Sequence, residues 1–366
     1  MKIAIIGAGI VGATAAFYLR KHQMSDVTIF DYGKGQATKA AAGIICPWFS
    51  KRRNKAWYAL ASQGADFYLE LIEDLECMGI ACDFYARNGV LLLKKDPSKL
   101  DQLYQLAQNR KSQSPLIGEL ALLTKSEIQA FFPDLQGCEK AIYAEGGARV
   151  DGKKLCQQLI AASQYPVITK KVTIQRQGKQ YLVDGQVYDK VLLATGAWLP
   201  EILEPLGYQV DIRPQKGQLI DFRLLSFESD HLPVVMPEGE IDIIPFPDGR
   251  VSIGASHENE LGYDLTPDQS VLEGLEKDGK AFLPILATSD EKDYRVGTRA
   301  YTSDFLPFYG QIPGMSNCYA SSGLGSSGLT VGPLIARELV AMLLGHPLRL
   351  PFENYPIQNY ITYGNM

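Results

Sequence analysis

The sequence predicts an α/β protein in which a Rossmann-type domain is joined to a second, β-rich α+β domain. Three observations carry that reading. The first 31 residues have the pattern strand, glycine turn, helix, strand. The length, 366 residues, is more than one ordinary domain needs. Two later blocks, around 84–95 and 211–255, are patterned as strands and turns without a phosphate-binding loop.

Lys2 to Ile6 is a short apolar run of the kind that forms a strand buried on both faces, and it leads directly into Gly7, Gly9 and Gly12. In G-x-G-x-x-G the first glycine permits the tight turn. The second leaves backbone bare for a pyrophosphate, and the third lets the helix lie close on the strand. That helix is expected from Ile10 to His22, with small Ala13, Ala15 and Ala16 for close packing. Ile10 and Val11 sit at its N-terminus, where unpaired N–H groups favour an anion. A second strand, Val27 to Phe30, ends on Asp31, whose carboxylate is placed to accept hydrogen bonds from a ribose. Together these residues predict a dinucleotide site.

Composition narrows the function classes. A formal charge of −5 with interspersed signs argues against nucleic acid as the main partner, and the densest basic cluster, Lys51, Arg52, Arg53 and Lys55, is short. Six cysteines without C-x-x-C spacing read as thiols, not as a disulfide framework or zinc site, and four dispersed histidines suggest no metal. No apolar run is read as approaching the ~20 residues that span a bilayer. The first strand begins at Lys2, which leaves no room for a signal peptide, so a cytoplasmic location is expected.

After Asp31 comes a loop, Tyr32 to Pro47, in which small residues at Ala37, Thr38, Ala40, Ala41, Ala42 and Gly43 are expected to let the backbone run flush against a flat ligand. Asn54 to Met78 has helical apolar spacing and ends at Gly79. Arg87-Asn88-Gly89 before Val90 to Leu93 is an Asn-Gly hairpin signal. Leu100 to Lys111, Ser126 to Phe132 and Gly152 to Ser163 read as helices, with a turn-rich return over 141–151. Short strands follow at 167–169, 172–175, 181–183 and 190–194. The last runs into Thr195-Gly196-Ala197 and Trp198, a second place where backbone would approach the ligand. Strands are expected at 211–222, 233–236, 241–246 and 250–255, with a covering helix at 267–282. Residues 293–310 read as irregular, with Arg299 at their centre. A final strand, 317–322, meets a glycine-rich turn and a helix to about Leu344, repeating the anion-binding geometry of the N-terminus.

These stretches, in this order, resemble the D-amino acid oxidase superfamily, most closely its glycine oxidase and D-amino acid dehydrogenase branch. The carriers are GAGIVG at Gly7 to Gly12, Asp31, TKAAAGII at Thr38 to Ile45, ATGAW at Ala194 to Trp198 and PQKGQL at Pro214 to Leu219. IIPFPDGRVSIGAS at Ile243 to Ser256, GTRAYTSDFLPFYG at Gly297 to Gly310 and GLGSSGLTVGP at Gly323 to Pro333 complete them. The resemblance implies a glutathione-reductase-like FAD domain assembled from 1–80, 141–212 and 293–366, and a substrate domain from 81–140 and 213–292. It implies noncovalent FAD, with Asp31 and Tyr32 at the adenosine, Val172 near the adenine and Thr38 and Ala42 to Ile44 at the flavin. Gly323, Leu324, Gly325, Ser326, Ser327, Gly328, Leu329 and Thr330 would carry a helix N-terminus towards the isoalloxazine.

The resemblance also implies that Arg299 grips the carboxylate of an amino acid, a task its bidentate fork suits. Four positions depart from the pattern: Ala300 follows the arginine where proline is common, Ser326 falls where some relatives carry a second arginine, and the other two are Asp242 and His257. Asp242 stands where glycine oxidases have a tyrosine, so either it points elsewhere or the substrate carries a cation there. His257 replaces an apolar pocket residue. Trp48, Arg52 and Arg53 are placed either to overhang the pocket as a lid or second anion site, or to lie in a solvated loop. The expected activity is hydride transfer from the α-carbon of a small amino acid or amine to flavin N5, giving an imine that hydrolyses. Oxygen or another acceptor would then reoxidise the flavin. Oxidation of a hydroxy acid or polyol phosphate, or a flavin protein without turnover, are the alternatives.

Overall fold

The structure, a computed structural model, describes residues 1–289 and 291–364. Its first sheet has six strands in the order Phe308–Gln311, Cys318–Ser322, Lys190–Leu193, Ile3–Ile6, Val27–Phe30, Val167–Ile168. All neighbours are parallel except the first pair. Ile3–Ile6 lies inside the sheet with every residue buried, because both faces are covered. Ile3 and Ile5 pack with helices Ile10–Lys21, Lys55–Cys77, Gly152–Ser163 and Gly328–Leu344. Ala4 and Ile6 face the other way, into a core shared with the antiparallel strands Ile174–Gln177, Gln180–Val183 and Gln186–Tyr188. That two-sided burial is why the strand reads as an unbroken apolar run rather than an alternation.

The last long helix corrects one expectation. Gly325–Leu344 is a 20-residue stretch long and apolar enough to cross a membrane by composition, yet 72% of its most apolar window is buried inside the protein. It is apolar all round because helices Ile10–Lys21 and Lys55–Cys77 both pack on it. The second of these starts on Asn54, whose side chain accepts a hydrogen bond from the Trp57 amide at 2.9 Å.

The second sheet has eight strands in the order Glu291–Tyr301, Arg213–Arg223, Arg250–Gly254, Asp242–Phe246, Val234–Met236, Val90–Leu93, Lys140–Ala144, Leu120–Thr124. Neighbours are antiparallel apart from Val234–Met236 beside Val90–Leu93. Helix Gln269–Phe282 covers one face with Leu272 and Leu275. On the other face Val90, Val234, Ile244 and Phe246 pack with Ala42, Ile44 and Cys46 of the small-residue loop.

Three local expectations fail here for physical reasons. Residues 291–301 are not irregular: they form an 11-residue strand paired with Arg213–Arg223 along its whole length, across the expected domain boundary at 293. Alternation was hidden because the set 295, 297, 299 is Arg, Gly, Arg, and Arg295 is satisfied inside by Asp221 at 2.7 Å and the Ala41 carbonyl at 2.9 Å. Asn88-Gly89 bends the chain without making a hairpin. Tyr85–Ala86 pairs with Ala148–Val150, while Val90–Leu93 pairs inside the large sheet. The return over 141–151 holds two strands, Lys140–Ala144 and Ala148–Val150.

Candidate active site

The cofactor end is built by backbone. Gly7 has φ +99°, and a Cβ there would sit 2.4 Å from the Ala194 carbonyl oxygen, so the turn can press on the neighbouring strand only without a side chain. Asp31, at the end of the second strand, accepts from the Ala8 amide at 3.1 Å and from Gln36 Nε2 at 2.8 and 2.6 Å. Thr38 Oγ1 accepts from the Ile10 amide at 3.1 Å, tying the small-residue loop to the N-terminus of the first helix.

Gly7, Gly9, Ile10, Val11, Asp31, Tyr32, Thr38, Ala42, Gly43 and Ile44 line one cavity of about 460 Å3. So do Val172, Thr195, Gly196, Trp198 and the run Leu324 to Thr330, together with Asp242, His257 and Arg299 from the large sheet. Two expected members stand behind the wall instead. Gly12 is packed under the Gly7 carbonyl, and Gly323 against Thr302 and the Leu306 carbonyl.

The residues present fit FAD. Two helix N-termini, at Ile10–Lys21 and Gly328–Leu344, open on the cavity and, apart from the Ile10 amide held by Thr38, direct first-turn amides without intrahelical partners at it. Gly9 leaves its backbone bare, since a Cβ there would meet nothing nearer than Thr38 Oγ1 at 3.3 Å. Thr195 Oγ1 and Gln36 Oε1 are buried in the lining residues without a partner among the described residues, as groups awaiting a polar ligand are.

At the other end stands Arg299. Its Nη1 donates to Gln215 Oε1 and to the Ser256 carbonyl, both at 2.9 Å. Gln215 is the register partner of Arg299 on the adjacent strand and is itself held by Asn259, which accepts from Gln215 Nε2 at 2.7 Å. The guanidinium lies flat over Gly217, where a Cβ would fall 2.6 Å from Nη1. Burial lowers its pKa, with Tyr301 and Glu258 pulling the other way, and among the described residues no carboxylate lies within ion-pair distance of it. A cation so placed, with one nitrogen committed and the rest of the fork facing a cavity, is electrostatically incomplete without an anion. Gln215→Leu is expected to raise KM for a carboxylate substrate roughly tenfold through lost orientation of the fork, with kcat and FAD content little changed. Steady-state kinetics alongside the flavin spectrum checks this.

Asp242 opens strand Asp242–Phe246 and is half-buried, its remaining exposure being to the cavity. Burial raises its carboxyl to about 7, with Lys94 pulling the other way. It therefore faces the cavity and does not point elsewhere. His257 also lines the cavity; burial of the imidazole first, then Arg299, lowers its pKa, with Glu240 pulling the other way. Sequence reasoning gave no role to Gln36 and Gln215, which hold Asp31 and Arg299 in place. Their signal is cross-strand or loop partnership, visible only once the pairing is known.

Of the two placements open for Trp48, Arg52 and Arg53, the structure does not give the overhanging one. Trp48 is wholly buried, its carbonyl accepting from Arg110 at 2.6 Å. Arg52 stacks 4.5 Å from the centre of the Trp57 ring, and it is Trp57 that reaches the cavity, while Arg52 and Arg53 are exposed outside it.

Comparison with known proteins agrees with this geometry. Residues 2–342 match the DAO family, described as FAD dependent oxidoreductase. An uncharacterised oxidoreductase of Bacillus subtilis (strain 168) is 38% identical over 369 residues, spanning 96% of this chain and 97% of that protein. The glycine oxidase of Pseudomonas aeruginosa is 30% identical over 361 residues, 94% of this chain and 95% of the relative. Among solved structures, iminodiacetate oxidase from Chelativorans sp. BNC1 superposes with a TM-score of 0.92 at 33% identity, covering 97% of this chain and 98% of that one. With a cavity built for FAD, a family match along most of the chain and full-length relatives that are oxidoreductases, the chain belongs to the DAO family of FAD-dependent oxidoreductases.

Proposed function

We propose that this enzyme oxidises a small aminocarboxylate at the carbon between its nitrogen and its carboxylate, giving an imine that water hydrolyses. The observation that carries the reading is the Arg299 guanidinium, without an ion-pair partner among the described residues, in the same cavity as the cofactor-facing backbone. Bound FAD, held noncovalently, supplies the acceptor for the hydride. The protein's own residues supply position. Arg299 takes the carboxylate through its free edge, Gln215 and Ser256 keep that edge fixed, and Asp242 presents a carboxyl to the nitrogen end. Glycine and iminodiacetate, named for two of the relatives, share an N–CH2–COO− unit, which supports an amine adjoining a carboxylate as the common element. Oxygen or another electron acceptor completes the cycle.

The polyol-phosphate alternative loses its anion-binding residues, because Arg52 and Arg53 do not line the cavity. The test is anaerobic: mix the holoenzyme with glycine, sarcosine, iminodiacetate, D-amino acids, L-proline and glycerol phosphate, and follow the visible flavin absorbance. Bleaching by an aminocarboxylate is the expected result, and bleaching by glycerol phosphate alone would overturn the reading.

A further inference from the structure

We propose that Asp242 is the base that takes a proton from the substrate's ammonium group inside the cavity, so that the free amine is the species oxidised. The inference rests on the aminocarboxylate reading above and adds to it a step that positioning by Arg299 does not provide. In that step one N–H bond of the ammonium breaks, an O–H bond forms on the Asp242 carboxylate, and the freed electron pair stays on nitrogen. No oxidant or reductant is involved.

Three observations lead to this residue. An aminocarboxylate held by Arg299 has its carboxylate charge neutralised there and its ammonium left over in the cavity that Asp242 also lines. Asp242 lines that cavity with no hydrogen bond and no ion pair to its carboxylate among the described residues, so both oxygens are free to accept. The other groups facing it are poorer acceptors. Lys94, at the end of strand Val90–Leu93, is a cation; Cys46, on the loop after Ile44–Ile45, is a thiol whose pKa is pushed up by burial and by Asp242 itself. Met236 is apolar, and His257 has its basicity reduced by burial and by Arg299. Glu240 lines the cavity but is exposed, which makes it the competing acid to be tested.

The carboxyl of Asp242, raised to about 7, is matched to accepting a proton near neutrality. The base form exists above that value. The kcat/KM for an aminocarboxylate is therefore expected to rise as pH climbs through this region. Asp242→Asn should lower kcat/KM at neutral pH by about 100-fold and abolish this limb, with activity returning only where the substrate's own ammonium titrates. Asp242→Glu and Glu240→Gln should keep the limb. A second readout needs no turnover. Acetate, a carboxylate without an amine, should bind the wild-type holoenzyme more weakly as pH rises through the same region, since ionised Asp242 repels it. In Asp242→Asn that dependence should vanish.

Loss of the limb in Glu240→Gln, or its persistence in Asp242→Asn, would overturn the proposal, as would a rate that falls with rising pH through this region. Acetate affinity without pH dependence in the wild type would likewise remove Asp242 from the ligand's surroundings. If no amine is oxidised at all, it is the aminocarboxylate reading that fails; if one is oxidised with an unchanged limb in Asp242→Asn, only the role of Asp242 fails.

Discussion

Replacing Arg299 by alanine is expected to raise KM for a carboxylate substrate by roughly 100- to 1000-fold while leaving FAD bound. The figure follows from the geometry. Nη1 is already committed to Gln215 and Ser256, so the carboxylate meets the remaining edge of the fork, and two hydrogen bonds to a charged group are together worth about 3–4 kcal/mol. Arg299→Lys keeps the charge and loses the fork, so it should recover part of the affinity but not all of it. An amine with no carboxylate provides the internal control: its oxidation, slow in the wild type, should be little altered by Arg299→Ala. Steady-state kinetics on both substrates, with the flavin spectrum recorded on each preparation, decides the matter. An unchanged KM for the carboxylate substrate would remove Arg299 from the site.

What was legible in the sequence divides along the range of the interactions involved. The cofactor half was readable because its chemistry is local: strand, glycine turn, helix and terminal acid occupy Lys2 to Asp31 without interruption. Arg299 was readable as a residue but not as part of a strand. Its strand turns Arg295, Gly297 and Arg299 inward, and an inward charge looks like solvent-facing sequence until Asp221 is seen to satisfy one and a cavity to receive the other. Gln215 became meaningful only through its pairing with Arg299, 84 positions away. Asn88-Gly89 shows the converse: the turn chemistry was right, but both flanking strands found stronger partners elsewhere. Asp242 was marked by its departure from the family pattern, and the fold then had to say which way it faced.

The glycine turn allows fold and cofactor binding to be separated by two neighbouring substitutions. A Cβ on Gly12 would lie 1.8 Å from the Gly7 carbonyl oxygen and 2.9 Å from its carbon. Both are backbone atoms of the turn itself, so the helix must move off the strand rather than a side chain swing away. Gly12→Ala is therefore expected to cost about 1–3 kcal/mol or more of stability, the scale of overpacking in a tight core, and to lower Tm even in the apoprotein. It should also weaken FAD binding, because the displaced helix carries Ile10 and Val11 at the cavity wall and strains the bond from the Ile10 amide to Thr38. Gly9→Ala is different in kind. Its Cβ meets only the Thr38 hydroxyl at 3.3 Å, so the apoprotein should melt close to the wild type, yet the new methyl stands where the pyrophosphate must pass. FAD affinity should fall by a factor comparable with or larger than that in Gly12→Ala. Thermal melting of the two apoproteins and titration with FAD by fluorescence give the four values needed. Wild-type FAD affinity in Gly9→Ala would mean that the cofactor's phosphates take another path, and wild-type stability in Gly12→Ala would mean that the helix does not rest on the turn as closely as the structure places it.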